Sequence, residues 1–382
     1  MVIHRAIKCK AYPNQTQYAV IKSTLDSCRF IYNHMLSRNM KMYKRRGEHL
    51  SYKQMQNLLP VMKEYYPWLK DADSQALKYA CRQLDTAYQK FFKHEARFPR
   101  FHSKRGRQCY TTTKGKSIHI NGNKVKIPLA GWIRARGLKE LPEDAIINRA
   151  SVSMEGDGTV YISIAYQYEA NIPIMEYQES KVLGLDYKSN GLYVSSDGET
   201  ADMPHWFRES QAKLTKAQRQ LSRKHGSQKG EKKSSGWIKQ YKKVAKLYKK
   251  IANQRLDYLH KKSKDLADTW DAIGVEDINM RNLSNKDLGN GKATMDNGFG
   301  MFRTMLDYKL QERGKQPLIK VDKFYPSSQL CSCCGYQNKE VKDLSIREWT
   351  CPKCKTKHNR DQNASENIKQ EAIRILKKQA VA

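Results

Sequence analysis

Val182-Leu183-Gly184-Leu185-Asp186 is a short apolar stretch of strand character closed by one acid. Two further stretches share this design. Ile273-Gly274-Val275-Glu276-Asp277 is again apolar and then acidic, and His358-Asn359-Arg360-Asp361-Gln362-Asn363-Ala364 sets an acid near the start of a helical pattern. Each delivers one carboxylate from the end of a regular element. Singly, an acid after a strand is most often a turn residue, and Asp361 alone reads as a helix cap. Three acids in the same setting predict a shared site made of Asp186, Glu276 and Asp361. The nearby Asp197 and Asp277 read as a turn residue and a surface acid.

The composition says what such a site meets. Lys+Arg 71 against Asp+Glu 38 gives a formal charge of +33 over 382 residues. A compact particle with that imbalance repels itself until a polyanion neutralises it, so nucleic acid is the expected partner. No apolar run is long enough to span a bilayer and no signal peptide opens the chain, so a soluble, intracellular protein is expected. Nine cysteines, four of them at metal spacing, argue for a reducing compartment over a disulfide framework.

Working outward, Lys181 to Ser196 reads as a two-stranded hairpin with Asn190-Gly191 near its turn, and a third strand follows Gly198. From Glu209 to Trp270 a basic stretch reads as two helices joined through Gly226 to Gly230. Its one-sided charge favours phosphate contact over a merely solvated face. Towards the N-terminus, Ile3 to Tyr12 reads as a strand, followed by helices from Asn14 to Gly47, Ser51 to Met62 and Asp73 to about Ala96. Beyond Phe98-Pro99-Arg100-Phe101, the segments 117–120, 124–127, 147–154 and 159–168 alternate apolar with polar residues. Asn121-Gly122-Asn123 and Gly156-Asp157-Gly158 separate them as hairpin turns. A small antiparallel β domain is expected there. The first strand can join it, with the helices as an insertion.

Strand, hairpin, helices, strand and final helix is the order of an RNase H-like fold. Phosphodiester hydrolysis suits such a site, because two Mg²⁺ ions roughly 3.5–4 Å apart activate water and stabilise the leaving oxygen. Closely set carboxylates are their natural ligands.

Cys331-Ser332-Cys333-Cys334 and Cys351-Pro352-Lys353-Cys354 flank residues 335 to 350. Cys331, Cys334, Cys351 and Cys354 match a closed tetrahedral Zn²⁺ site, which is structural because it leaves no open position. A redox pair is the alternative, and the second matched pair argues against it. Cys9, Cys28, Cys81 and Cys109 read as packing residues.

With these motifs in hand, the chain resembles the TnpB family of transposon-encoded RNA-guided DNA endonucleases, relatives of the compact type V CRISPR effectors. The resemblance runs through Tyr12-Pro13-Asn14, Arg29-Phe30-Ile31-Tyr32-Asn33, Leu84-Asp85-Thr86-Ala87-Tyr88, Phe98-Pro99-Arg100-Phe101 and Gly184-Leu185-Asp186. It continues in Val275-Glu276-Asp277, Pro326-Ser327-Ser328-Gln329-Leu330-Cys331, Trp349-Thr350-Cys351-Pro352 and Arg360-Asp361 with Asn363-Ala364. Tyr187-Lys188 and Asn359 depart from the usual pattern without removing an acid.

The resemblance implies an α+β multidomain architecture. A wedge β-barrel (1–12 and 107–178) holds an inserted helical recognition unit (13–106), and an RNase H-like (RuvC) nuclease (179–325 and 358–382) holds an inserted zinc ribbon (326–357). It also implies Asp186, Glu276 and Asp361 as catalytic Mg²⁺ ligands. Its further expectations are one structural Zn²⁺, a guide RNA with a structured scaffold, and a double-stranded DNA target read beside a short flanking motif. A prokaryotic, cytoplasmic and nucleoid-associated protein is expected. Tyr52, Ser74 and Lys78 are candidates for reading the motif, against the alternative of ordinary surface polarity. Other functions weighed are a guided repressor, which has no need of three metal-binding acids, and a strand-transfer transposase, whose His-x-His signature is absent. A type V CRISPR effector shares the chemistry.

Overall fold

The structure, a computed structural model, describes residues 2–104, 108–113, 117–204, 206–228, 230–283 and 291–381. The expected boundary at 106/107, and Lys229 between the two basic helices, fall outside these residues. The chain forms two compact units, Met1–Asn171 with Tyr241–Ala245, and Ile172–Gln240 with Lys246–Ala382. No helix among the described residues is long and apolar enough to cross a membrane.

In the first unit, β1 (Val2–Tyr12) buries Ile3, Ile7, Cys9 and Ala11 on one face. Helix α1 (Gln15–Arg46) starts at a capping box in which Asn14 and Gln17 satisfy each other's backbone N–H groups. It ends at Gly47, whose φ of +71° suits glycine. The single helix expected over 51–62 is two helices, α2 (Tyr52–Asn57) and α3 (Leu59–Tyr65). The cause is Pro60, which has no N–H to donate and whose ring crowds the carbonyl of Gln56. Helix α4 (Ser74–Phe92) is capped by Asp73 and stops short of Ala96, because His94 turns to a positive φ of 57°.

The strands β2 (Gln108–Thr112), β3 (His119–Asn121), β4 (Lys124–Ile127), β5 (Gly131–Arg136), β6 (Ile146–Met154) and β7 (Val160–Glu169) complete an antiparallel sheet in the order β2-β6-β7-β1-β5-β4-β3. Strand β1 lies in its middle, paired with β7 from Val2↔Glu169 to Ala11↔Val160 and with β5 from Lys10↔Arg136 to Tyr12↔Arg134. The helices α1 to α4 are therefore an insertion between two strands of one sheet. β2 and β5 were not anticipated from the sequence.

In the second unit, β8 (Val182–Tyr187) pairs antiparallel with β9 (Tyr193–Ser195), and β9 pairs antiparallel with β10 (Thr200–Ala201). The basic stretch forms α5 (Trp206–Ser222) and α6 (Ser235–Thr269). Strand β11 (Ala272–Glu276) then lies parallel to β8. After α7 (Met280–Leu283), α8 (Gly291–Asn297) and α9 (Phe299–Gln311), β12 (Ile319–Val321) lies parallel to β11. The order is β10-β9-β8-β11-β12. A hairpin of β13 (Glu348–Thr350) and β14 (Lys357–Asn359) leads into α10 (Arg360–Val381).

One face of this sheet packs Leu183, Leu185, Ile273 and Val275 against Leu259 and Leu266 of α6 and Phe302, Leu306 and Leu310 of α9. The other packs Val182, Ala272 and Ile319 against Ala372 and Leu376 of α10. The run Val182–Leu185 is continuously apolar because both faces are covered.

Candidate active site

Two glycines bring helix and sheet together. Gly184 and Gly274 are register partners in the parallel ladder. A Cβ on Gly184 would sit 2.1 Å from the Ser365 carbonyl oxygen, and one on Gly274 2.7 Å from the Ala372 Cβ. Helix α10 thus lies directly on both. Side chains alternate along a strand, so Asp186 and Glu276, each two residues further on, face the same side as α10. The first turn of α10 supplies Asp361.

The electrostatics report the same grouping. Burial, then the charges of Glu276 and Asp361, hold the Asp186 carboxyl well above the usual carboxylate range, while Arg360 pulls it back. Burial also raises Glu276, against a hydrogen bond from Ser327. Crowded, partly desolvated acids of this kind call for a cation. The three are not drawn into a single-ion cage. Among the described residues, sets whose ligand atoms all lie within 4.8 Å of one another involve the ribbon cysteines and His358, and none of the three acids.

Several positioning residues escaped the sequence reading. Ser327 Oγ donates to Glu276 Oε1 at 2.6 Å. Arg303 on α9 donates to the carbonyls of Glu276 and Ile278 at 3.0 and 3.1 Å, fixing the chain as it leaves β11. Asn359 Oδ1 accepts from the N–H groups of Asp361 and Gln362, both at 3.2 Å, so Asn359 does the capping and Asp361 is not the cap. Arg347 NH1 lies 3.3 Å from Asp361 Oδ1. Asp197 accepts from Ser195 and from the Glu199 N–H in a turn, and the exposed Asp277 faces Arg303 at 3.7 Å. Both fit the structural roles expected of them.

The four cysteines meet as their spacing predicts. Sγ atoms of Cys331 and Cys354, and of Cys334 and Cys351, are 3.6 Å apart. A tetrahedron with Zn–S bonds of 2.3 Å has an edge of about 3.8 Å, so the set fits zinc. The two knuckles are built alike. Gly335 N–H bonds the Cys331 carbonyl and Lys355 N–H bonds the Cys351 carbonyl, each at 2.9 Å, with positive φ at both residues. Cys333 is exposed, with its sulfur within 4.8 Å of the Cys331 sulfur and of a His358 ring nitrogen, while Cys9, Cys28 and Cys81 are buried in the first unit as packing residues.

A polar stripe on α10 docks the first knuckle. Asn363 donates to Leu330 O at 2.6 Å and accepts from Ser332 N–H at 2.9 Å. Asn367, one turn on, donates to the carbonyls of Ser327 and Leu330, and Gln370 donates to that of Ser332. The loop holding Glu276 through Ser327 and the metal knuckle are therefore pinned to one helix.

In the first unit, two of the three motif-reading candidates have partners of their own. Tyr52 N–H bonds Asp85, with the Arg82 guanidinium 5.5 Å from its ring, and Ser74 accepts from Lys63 at 2.7 Å. Lys78 is half-buried on α4. A cleft of about 690 Å³ opens beside them, lined by His4, Arg5, Tyr79, Arg82, Asn148 and Arg149 among others. None of the three candidates lines it.

Comparison with known proteins agrees with this fold. Residues 299–368, which include the four ribbon cysteines and Asp361, match the family model "Cas12f1-like, TNB domain". The models "Probable transposase" and "Helix-turn-helix domain" match residues 163–287 and 1–48. In this chain the last span holds a strand and one 32-residue helix. A solved structure described as a Cas12f1-sgRNA-target DNA complex aligns over 96% of this chain and 99% of its own with a TM-score of 0.53 at 11% identity. The architecture is thus the α+β fold of a compact type V effector. The chain is 32% identical over 372 residues to the "Putative RNA-guided DNA endonuclease" of Streptomyces pristinaespiralis, covering 96% of this chain and 89% of the relative. It is 30% identical over 380 residues to the "Putative RNA-guided DNA endonuclease InsQ" of Escherichia coli K12, covering 95% and 91%. The chain belongs to the TnpB family.

Proposed function

We propose that this chain is the RNA-guided DNA endonuclease of a transposable element, cutting double-stranded DNA that matches its guide beside a short flanking motif. The observation that carries this is the convergence of Asp186, Glu276 and Asp361 at one end of a mixed sheet. The order β10-β9-β8-β11-β12, antiparallel and then parallel, supports an RNase H-like, RuvC-type nuclease over 179–325 and 358–382. In this reading 326–357 is a zinc ribbon, 1–12 and 107–178 are a wedge β-barrel, and 13–106 is a recognition unit.

Asp186, Glu276 and Asp361 would hold two Mg²⁺ ions, which supply an activated water and stabilise the leaving oxygen. Ser327 and Arg303 keep Glu276 aimed into the site. Arg347 neutralises Asp361 and is exposed enough to turn towards a phosphate. Cys331, Cys334, Cys351 and Cys354 would hold a structural Zn²⁺.

A second surface supports the RNA partner. No acid occurs in β1, β4 or β5. On their exposed face Lys10 stands opposite Arg136 and Lys124 opposite Arg134, while Tyr12 also faces Arg134 and Trp132 faces Lys126. Like charges directly opposite one another destabilise a sheet. A phosphate backbone relieves that repulsion, and the aromatic rings offer stacking surfaces. We assign this face to the RNA scaffold, and the arginine-lined cleft of the same unit to contacts with the flanking motif.

The test is to sequence the RNA that copurifies with the protein, then offer the complex a fixed guide match beside a randomised flank. One abundant RNA ending in a variable guide, and cleavage restricted to a few flanks, are expected. Cleavage of matched DNA without RNA would reject the reading.

A further inference from the structure

His358 is buried and belongs neither to the four-cysteine set nor to the acidic cluster. Its Nε2 lies 3.1 Å from Cys331 Sγ. Its ring packs on Trp349 at 4.8 Å between centroids, and the two residues are cross-strand partners in the β13–β14 hairpin. Two arrangements can explain the short contact. Either His358 is itself a metal ligand, with Cys331 and Cys333, or it hydrogen-bonds a sulfur that the metal already holds.

The geometry favours the second. Cys331, Cys334, Cys351 and Cys354 already have the mutual spacing of a filled tetrahedron, and Cys333 is exposed outside it. Four thiolates on one Zn²⁺ leave a net negative charge on sulfur, which a buried N–H donor stabilises. An imidazole with its hydrogen on Nε2 is such a donor.

The position of His358 in the chain gives the contact a consequence. The next residue, Asn359, caps α10, and Asp361 lies in the first turn of that helix. The Arg360 N–H bonds the Arg347 carbonyl at 2.8 Å, while the Arg347 side chain reaches Asp361. We propose that His358 donates a hydrogen bond to the Cys331 thiolate of the zinc-loaded ribbon, and that this bond positions the first turn of α10 and so Asp361. His358 is thus a positioning residue coupling metal loading to the nuclease site. This rests on the zinc and nuclease readings given above.

The test compares wild type with His358→Phe, which keeps a ring against Trp349 and loses the donor, and His358→Gln, which keeps a donor. Each is purified with its RNA. Zinc release to excess chelator is followed with a metal indicator, and the thiolate-to-cobalt absorption is recorded after cobalt substitution. The Phe variant should release zinc about 10-fold faster, retain the cobalt spectrum of a four-sulfur site, and lose kcat with little change in KM for DNA. The Gln variant should recover part of both. Unchanged zinc release in both variants overturns the bond, and a cobalt spectrum that changes from mixed sulfur–nitrogen to another ligand set makes His358 a ligand instead. Faster zinc release with kcat unchanged overturns the coupling. The zinc measurements decide the bond even if wild type cuts no DNA, an outcome that would sink the nuclease reading alone.

Discussion

Gly184 and Gly274 stand side by side in the parallel ladder, and α10 rests on both where any Cβ would strike its backbone or the Ala372 methyl. The position of Asp361 relative to Asp186 and Glu276 therefore depends on two residues with no side chain. Gly184→Ala should destabilise the protein by about 1–3 kcal/mol or more through overpacking. Misplacing a catalytic group by about 1 Å can cost a factor of ~10² in cleavage rate. Gly300→Ala, inside α9 with its nearest neighbour 3.7 Å away, should be neutral or stabilising. Urea unfolding and cleavage assays on the pair check this, and equal effects at both positions would contradict the close-approach argument.

Asp186→Asn should abolish cleavage and yet raise the melting temperature of metal-free protein. A carboxyl whose folded pKa lies above its unfolded value near ~3.9 binds more protons in the native state, so stability falls as pH rises through that window. Burial and the neighbouring acids place Asp186, and burial places Glu276, in this class. In EDTA the wild type should thus lose stability from about pH 4 upwards until the raised groups have ionised, and the Asn variant should lose less. Added Mg²⁺ should stabilise wild type more than the variant. Thermal melts across pH, with and without Mg²⁺, provide the comparison.

Ser327→Ala should weaken cleavage without weakening RNA binding. Hydrogen bonds to charged groups contribute about 1.5–3 kcal/mol, so a fall of about 10- to 100-fold in rate is expected if Glu276 is left free to rotate. Ser327→Thr, which keeps the hydroxyl, should recover part of it. A Ser327→Ala enzyme with wild-type kcat would show that Glu276 is held by other means.

Cys351→Ser should lower bound zinc and loosen residues 326–357, because a four-ligand site loses one thiolate. Elemental analysis of freshly purified wild type is expected to find about one zinc per chain. Its absence would overturn the assignment of the ribbon metal.

Replacing Arg134 and Arg136 by Gln should weaken RNA binding and flatten its salt dependence. Each lost phosphate contact on a single strand lowers the slope of log K against log salt by about 0.7. A slope unchanged in the double variant would remove this face from the RNA interface.

The sequence made the acids legible because strand alternation and chain order are local properties, and Asp186, Glu276 and the four cysteines each lie in a short motif. The supporting residues were not legible in the same way. Ser327 reaches Glu276 across 51 residues, and Asn367 reaches Ser327 across 40, distances over which no spacing rule operates. Asn363 belongs to a legible motif, but its role in holding Leu330 and Ser332 exists only once the ribbon is folded on α10. β5 is hard to read in the sequence although Gly131-Trp132-Ile133-Arg134-Ala135-Arg136 alternates, because its polar positions are all cationic and resemble a basic loop. The break at Leu58 was foreshadowed by Pro60 and outweighed by the apolar periodicity around it.

The central place of β1 also governs the order in which the protein can be made. Its residues Val2 and Ile3 find their partners only at Glu169 and Tyr168, so β1 leaves the ribosome more than 150 residues ahead of these partners and waits for them to be paired on both sides. During that interval α1 to α4 can form from local contacts, while β1 carries unpaired backbone groups on both edges. Synthesis thus has a vulnerable phase, when an unclosed cationic strand is exposed to aggregation or premature capture by cellular RNA. A pause in translation before residue 169 would lengthen it.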